Sequence, residues 1–451
     1  MNPDVSILGL GASGVAAARL ALNKGGKVYV SDTRSDPAVA TRGAELEALG
    51  ARVELGRHDV ERIAASGTVV VSPGIAPDAP VLRALGARHV AWISEPEFAI
   101  RFYQSPLIAV TGTNGKTTTS ALTAHLLRAG GIDAALGGNI GAGLGPPASE
   151  LALREPAPAW YVLEVSSFQL AYVDRFRPAI GVVTNLAPDH LDRYDGIGAY
   201  YADKARLFDS ADHDSRWVLN ADDPAVLELA GDAPGRRSYF STKRVVDGGS
   251  LEDGRLTLGR GDRRTPLLPR DDLPLLGDHN VANALAAAVA AWLAGVDEGL
   301  LGDGLRGARP LPHRLEPVAE VNGVLWVNDS KATNVAAAAS AVRSLAGTLV
   351  LLLGGKDKGE DFGALRGALM GRVRRVLAYG AAGPRIRAEL TGHVDVELVE
   401  GGLDDVVRVA RSVAAPGDVV LLAPACSSFD MFESYEERGA LFRELAREGA
   451  A

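Results

Sequence analysis

The sequence predicts an α/β fold of three domains with largely parallel sheets, and three observations carry that expectation. The chain has 451 residues, room for about three domains at roughly 150 residues each. Short β-branched runs alternate with longer Ala- and Leu-rich stretches, the pattern of βαβ units around parallel strands. Three apolar runs end in a glycine-bearing turn: residues 5–8 before Gly9, 107–110 before Gly112 and 348–353 before Gly354. A Pro-bounded stretch at 96–106 and the string Ala308-Arg309-Pro310-Leu311-Pro312 are candidate joints. Residues 239–276, with short runs and Gly-rich turns, read as a β excursion inside the middle domain.

Composition narrows the function classes. With 47% apolar and 23% charged residues, 52 Gly and 24 Pro, the chain is not disordered, collagen-like or disulfide-scaffolded. A formal charge of −9 argues against a generic basic grip on nucleic acid or anionic lipid. Cations for any anionic ligand must therefore be gathered locally. The single cysteine, Cys426, makes neither an internal disulfide nor a thiolate metal site. No run reaches the roughly 18 apolar residues of a membrane span, and the opening MNPDVSILGL lacks the basic region of a secretory signal. A reduced, cytoplasmic, soluble protein is expected.

The first glycine turn, Gly9-Leu10-Gly11-Ala12-Ser13-Gly14, follows a strand and opens an Ala-rich helix; a second strand over 27–31 ends at Asp32. Such glycines let a backbone approach a diphosphate at a helix N-terminus, and the acid can accept from a ribose or base donor. A merely structural tight turn would read the same way, and the motif does not say which nucleotide. Arg34 suits a phosphate but equally suits solvent.

The second turn says more. Thr111-Gly112-Thr113-Asn114-Gly115-Lys116-Thr117-Thr118 follows the run 107–110 directly. Backbone N–H groups of such a loop cradle phosphates, the lysine reaches the β/γ oxygens, and a hydroxyl meets Mg²⁺. The usual first glycine of the pattern is replaced by Val110, so this is a shortened variant. Mg²⁺ wants oxygen ligands, and two further strand ends supply candidates: Glu164 after 160–163, and Asp189-His190-Leu191-Asp192 beyond 180–184. Lys204, on a helix after that loop, reads from its own neighbours as a surface lysine.

Taken together, Gly112-Thr113-Asn114-Gly115-Lys116-Thr117, Gly137-Gly138-Asn139-Ile140-Gly141, Glu164-Val165-Ser166-Ser167-Phe168-Gln169, Asp189-His190-Leu191-Asp192 and His279-Asn280-Val281-Ala282-Asn283 resemble the Mur ligase superfamily. Leu311-Pro312-His313-Arg314, Asn328-Asp329-Ser330-Lys331-Ala332-Thr333-Asn334 and Pro424-Ala425-Cys426-Ser427-Ser428-Phe429 resemble its D-glutamate-adding branch. Sister ligases carry an Asp-x-x-His-x-Pro type string in place of Ser-Lys-Ala-Thr-Asn.

The resemblance implies a UDP-binding Rossmann-like domain at 1–98, a P-loop ATPase-like domain at 99–310 and a Rossmann-like domain at 311–451 that contributes to ATP and amino-acid binding. It implies ATP-dependent ligation of D-glutamate to UDP-N-acetylmuramoyl-L-alanine through an acyl phosphate and a tetrahedral intermediate, by a monomer. It replaces the dinucleotide suggested by the first loop with UDP, held by Ser13, Asp32, Thr33 and Arg34, with Gly74 and Asn139 on the same substrate. Gly112, Thr113, Asn114, Gly115, Lys116, Thr117 and Thr118 would hold the phosphates of ATP, Asn280 and Asn283 the adenine side, and Arg314 and Asp329 would reach the nucleotide from the third domain. Thr117, Glu164, His190 and Lys204 would serve two Mg²⁺ sites, Lys204 as a carbamate. Lys116, His190, Lys204 and Lys331 would carry catalysis, and D-glutamate would lie among Thr333, Lys358, Ser428 and Tyr435. Two departures stand out: Tyr435 where the family pattern has Phe, and the basic string Lys356-Asp357-Lys358.

Three rivals fit less of the chain. An NAD-dependent oxidoreductase leaves the second phosphate loop and Glu164 idle. A folate polyglutamate synthase does not explain the Ser-Lys-Ala-Thr-Asn string or the N-terminal nucleotide fold. A nonenzymatic nucleotide-binding regulator has no use for Lys116, Glu164 and His190 together.

Overall fold

The computed structural model describes residues 4–141, 143–189 and 193–448. They form two compact units, one from the chain up to Arg270 with Ala282–Arg306, the other from Asp271–Val281 with the chain from Gly307 on. The first unit holds two sheets and the second holds one.

Strands β1 (Asp4–Leu8), β2 (Lys27–Asp32), β3 (Arg52–Leu55), β4 (Thr68–Val71) and β5 (Ile93–Ser94) make a parallel sheet in the order β3-β2-β1-β4-β5. The order reverses between β1 and β4, which opens a crevice at their carboxyl ends. The Gly9 loop follows β1 there, and the turn Ser72–Ile75 follows β4. Helix Ala12–Asn23 starts behind Gly11 with no side-chain cap and buries Ala16, Ala17, Ala18, Leu20 and Ala21. Its first amides therefore face the crevice uncapped.

The second sheet joins β6 (Leu107–Thr111), β7 (Ala134–Gly138), β8 (Trp160–Glu164), β9 (Ile180–Val183), β10 (Arg216–Asn220), β11 (Arg236–Ser241), β12 (Gly248–Glu252), β13 (Arg255–Arg260) and β14 (Arg263–Pro269). The order is β14-β13-β12-β11-β10-β9-β6-β8-β7. Strand β6 thus lies between β8 and β9, and it is buried along its whole length. Strands β12 to β14 are an antiparallel edge, within the stretch where the sequence suggests a β excursion. The two sheets of this unit are joined by helix Glu95–Ile100, whose two acids are buried. Glu95 accepts from the Ser149 N–H at 2.5 Å, and burial pushes its carboxyl up to about 7. Glu97 accepts from the Asp174 and Arg175 N–H groups.

The second unit's sheet runs β15-β16-β20-β17-β18-β19, from β15 (Glu316–Val321), β16 (Val324–Asn328), β17 (Leu349–Gly354), β18 (Val373–Tyr379), β19 (Val396–Leu398) and β20 (Val419–Leu422). The run 348–353 is a landmark inside this domain, not its opening. The domain opens on the antiparallel hairpin β15–β16, turned at Asn322-Gly323 with φ of 53° and 73°, the positive pair of a type I′ turn. Leu349, Leu351 and Leu353 pack on one face of the sheet, Val350 and Leu352 on the other. No described helix is long and apolar enough to cross a membrane.

Candidate functional site

The phosphate loop leaves β6 at Thr111 and enters helix Lys116–Ala129 through Gly115. Gly112 has φ +138°, and a Cβ there would collide with the Thr184 hydroxyl. Gly115 has φ +80°, and its Cβ would strike Asn283. Both need glycine for conformation and space alike. The loop is held from β9: the Thr113 N–H donates to Asn185 O at 2.8 Å and the Asn114 N–H to Asn185 Oδ1 at 2.9 Å. Asn185 Nδ2 and Thr184 Oγ1 both donate to Asn114 O, at 2.8 and 2.7 Å. Thr117 and Thr118 are buried in the first turn.

Three charged side chains converge beside this loop. Lys116 Nζ donates to Gly112 O at 3.0 Å and Thr113 O at 2.8 Å. Lys204 Nζ donates to the same Gly112 O at 2.8 Å. Glu164 is 3% exposed; its Oε1 accepts from Asn139 Nδ2 at 3.3 Å, and its Oε2 has no hydrogen-bond partner among the described residues. A buried carboxylate oxygen without a donor is a position a cation would satisfy, so Glu164 is chemically suited to Mg²⁺. His190 lies outside the described residues.

Lys204 corrects the residue-level expectation of a surface lysine: it is 1% exposed. The helix Ile197–Ala205 turns Tyr200 and Lys204 inward, and the ammonium lies 4.6 Å from the Tyr200 ring centre. Tyr200 in turn meets Thr113 Oγ1 at 3.2 Å. Desolvation pushes the Lys204 amine well below the usual lysine range, and Lys116 adds to the effect against Asp189, Glu164 and Asp203. Burial therefore shifts this amine toward its neutral form.

In the N-terminal crevice, Asp32 is already engaged. Its Oδ2 accepts from the Leu10 N–H at 2.8 Å, and both oxygens take hydrogen bonds from the Arg34 guanidinium. Burial alone would raise this carboxyl, but Arg34 and the Leu10 amide outweigh it and hold it at about 2. Asp32 thus braces the first glycine loop. Ser13 is half-buried, and Thr33, Arg34, Gly74 and Asn139 are exposed.

In the second unit, the carboxyl ends of neighbouring strands bring the remaining candidates together. Asp329, Lys331 and Thr333 follow β16, Lys358 follows β17, and Ser428 follows β20. The β17 and β20 loops are tied by Lys356 and Ser427, whose N–H and C=O groups pair in both directions at 2.8 and 3.1 Å. Lys331 Nζ lies 3.9 Å from the Tyr435 ring centre. Burial pushes the Asp329 carboxyl up to about 7, against the Leu315 amide and Arg314. Lys358 is exposed and Ser428 is 2% exposed. Asn280 donates to Leu276 O at 2.8 Å in this unit, while Asn283 Oδ1 accepts from Thr119 Oγ1 at 3.3 Å in the other.

Several contributors escape the sequence reading. Asn185 clamps the phosphate loop, and its signal was only its place at the end of an apolar run. Arg438, fully buried in helix Tyr435–Arg447, donates to Ser330 Oγ at 2.9 Å, Ser330 O at 2.8 Å and Cys426 O at 3.3 Å. It thereby joins the loops that carry Lys331 and Ser428.

Comparison with known proteins follows the same division. A family model for the Mur ligase MurD-like N-terminal domain matches residues 3–94, the Mur ligase middle domain matches 110–291, and the Mur ligase glutamate ligase domain matches 313–426. The UDP-N-acetylmuramoylalanine–D-glutamate ligase of Acidobacterium capsulatum is 44% identical over 452 residues, covering 99% of this chain and 97% of the relative. The protein of the same name from Salinibacter ruber is 40% identical over 464 residues, covering 99% of both. Among solved structures, a pseudomurein peptide ligase type C from Methanothermus fervidus superposes with TM-score 0.63 at 19% identity, covering 99% of each chain. The UDP-N-acetylmuramate-alanine ligase MurC of Thermotoga maritima gives 0.61 at 19%, again over 99% of each.

Proposed function

The chain belongs to the Mur ligase family, and from that membership we propose that it joins D-glutamate to UDP-N-acetylmuramoyl-L-alanine with ATP, forming ADP and phosphate, in peptidoglycan precursor synthesis. The observation that carries this reading is the end-to-end similarity, near 40% identity, to relatives that bear that activity in their names.

A carboxylate is a poor electrophile, and phosphorylating it creates a good leaving group. The γ-phosphoryl passes from ATP to the L-alanyl carboxylate, giving an acyl phosphate. The neutral amine of D-glutamate attacks its carbonyl carbon, the tetrahedral intermediate expels phosphate, and the amine's surplus proton passes to water. Catalysis of such a transfer is positioning plus charge stabilisation. Lys116 moves from its loop carbonyls to the β/γ oxygens, while the amides of residues 115–118 face the phosphates and those of Thr113 and Asn114 stay on Asn185, holding the loop in shape. Mg²⁺, when bound, neutralises phosphate charge; Thr117, Glu164 and His190 hold it, and Lys204 adds oxygen ligands as a carbamate. Support for that modification is the buried, neutral-leaning amine, the form that reacts with CO₂. Two Mg²⁺ sites are part of this proposal, the second one served by the Lys204 carbamate.

The UDP moiety lies in the N-terminal crevice against Ser13, Thr33 and Arg34, with Asp32 bracing the loop and Gly74 and Asn139 on the substrate. Arg314, Asp329 and Asn280 with Asn283 address the nucleotide, and Thr333, Lys358, Ser428 and Tyr435 hold D-glutamate beside Lys331. The labour divides at residues 1–98, 99–310 and 311–451. A single chain acting in the cytoplasm suits the buried, unpaired Cys426.

Phosphate release with ATP, Mg²⁺ and UDP-N-acetylmuramoyl-L-alanine, measured with D-glutamate, L-glutamate or L-lysine, tests the reading. Release only with D-glutamate is expected; release only with another amino acid overturns the assignment of the C-terminal pocket. Lys116→Ala is expected to cut turnover by about 10³-fold or more, since a positioned phosphate-binding cation contributes about 4 kcal/mol.

A further inference from the structure

We propose that Arg193 is a positioning residue that sets the distance between the UDP-side turn of the N-terminal sheet and the acid-bearing strand ends of the central sheet. The inference rests on the reading above that the N-terminal crevice takes the UDP substrate.

Arg193 follows the Asp189 loop beyond β9, in the same compact unit as both sheets. Its Nη2 donates to Pro73 O at 2.8 Å and to Ile75 O at 2.6 Å, the carbonyls on either side of Gly74. Its guanidinium carbon lies 4.0 Å from the centre of the Phe168 ring, and Phe168 stacks on Tyr194 at 5.6 Å. Phe168 belongs to helix Ser167–Leu170, which begins three residues after Glu164 and is fixed by a Ser166–Gln169 capping box. One side chain therefore touches the exit of the strand that delivers Glu164 and the turn that presents Gly74.

The turn it grips faces the ligand side of its sheet. Gly74 is exposed, and a Cβ there would meet nothing within 4 Å. The preceding Ser72 donates to Gly9 O at 3.4 Å, so the turn is braced on the first glycine loop. Planar guanidinium bonds to carbonyls, with a ring beneath, have direction as well as charge. A strap at this place fixes how far the substrate's carboxylate extends from its UDP anchor toward Lys116, Glu164 and Lys204. Reaction geometry is sensitive on that scale, where a displacement of about 1 Å costs roughly a hundredfold.

The test is steady-state kinetics of Arg193→Ala and Arg193→Lys, with each substrate varied in turn. In both variants KM for UDP-N-acetylmuramoyl-L-alanine is expected to rise about tenfold or more, while KM for ATP and for D-glutamate stays within about twofold. Lysine keeps the charge but loses the flat guanidinium face that lies on the Phe168 ring, so it does not restore the wild-type value. Guanidinium ion, well below denaturing concentration, is expected to recover part of the loss in Arg193→Ala. An unchanged KM for the UDP substrate in folded Arg193→Lys overturns the proposal, as does an equal rise for all three substrates. The wild-type reaction is the control that separates the two readings: if it does not use UDP-N-acetylmuramoyl-L-alanine at all, the functional assignment fails before Arg193 is judged.

Discussion

At the scale of single residues, burial decides the chemistry. Lys204 sits on a short helix whose sequence alone gives no reason to turn it inward; only the packing of Tyr200 and the phosphate loop does so. Incubation with labelled bicarbonate is expected to give a carbamate resonance in the wild type and none in Lys204→Arg, whose guanidinium stays charged. Glu95 is the second case. Its carboxyl is raised from 4.5 to about 7 by burial, so the folded state binds an extra proton between those values. The group's contribution to stability is full below about pH 4.5 and is lost as pH rises through about 7. Glu95→Gln is therefore expected to be more stable than wild type by up to about 3 kcal/mol near pH 8, and equal to it near pH 4. Thermal melts across that range check this, and a constant difference would mean that titration of Glu95 is not the cause.

At the scale of elements, the sequence was legible wherever a motif is contiguous. The phosphate loop could be read because its strand, glycines, lysine and helix follow one another, and β6 and helix Lys116–Ala129 stand where the motif needs them. The hairpin β15–β16 carries an equally contiguous signal, Asn322-Gly323 between two apolar runs, although the run 348–353 is the more apolar one. Asn185 was not readable, because its partners are about seventy residues away in the chain and meet it only when β9 pairs with β6. Asn185→Ala removes two hydrogen bonds to Asn114 and leaves the strands paired. It is expected to raise KM for ATP about tenfold, the equivalent of about 1.4 kcal/mol, with a small change in melting temperature. An unchanged KM would show that the loop keeps its shape without this clamp.

At the scale of the whole molecule, the sequence-derived count of three sheet-bearing segments agrees with three sheets, while compactness divides the described chain in two. Trp217 is buried in the first unit and Trp326 in the second. Units with separate cores need not unfold together. Emission of Trp326→Phe, whose four remaining tryptophans all lie in the first unit, and of a variant that keeps Trp326 alone are expected to give different denaturant midpoints, and coincident midpoints would mean a single cooperative block. The cations proposed to organise the site share another property. Lys116, Lys204 and Arg193 all donate to main-chain oxygens: Gly112 and Thr113, Gly112, and Pro73 and Ile75. Every amino acid brings the same oxygen to its position, so no exchange of side chains at the accepting residue rewrites these contacts. Related sequences compared column by column would then show no paired substitutions across them, and a method that infers proximity from correlated change would be blind to the links that hold this centre together.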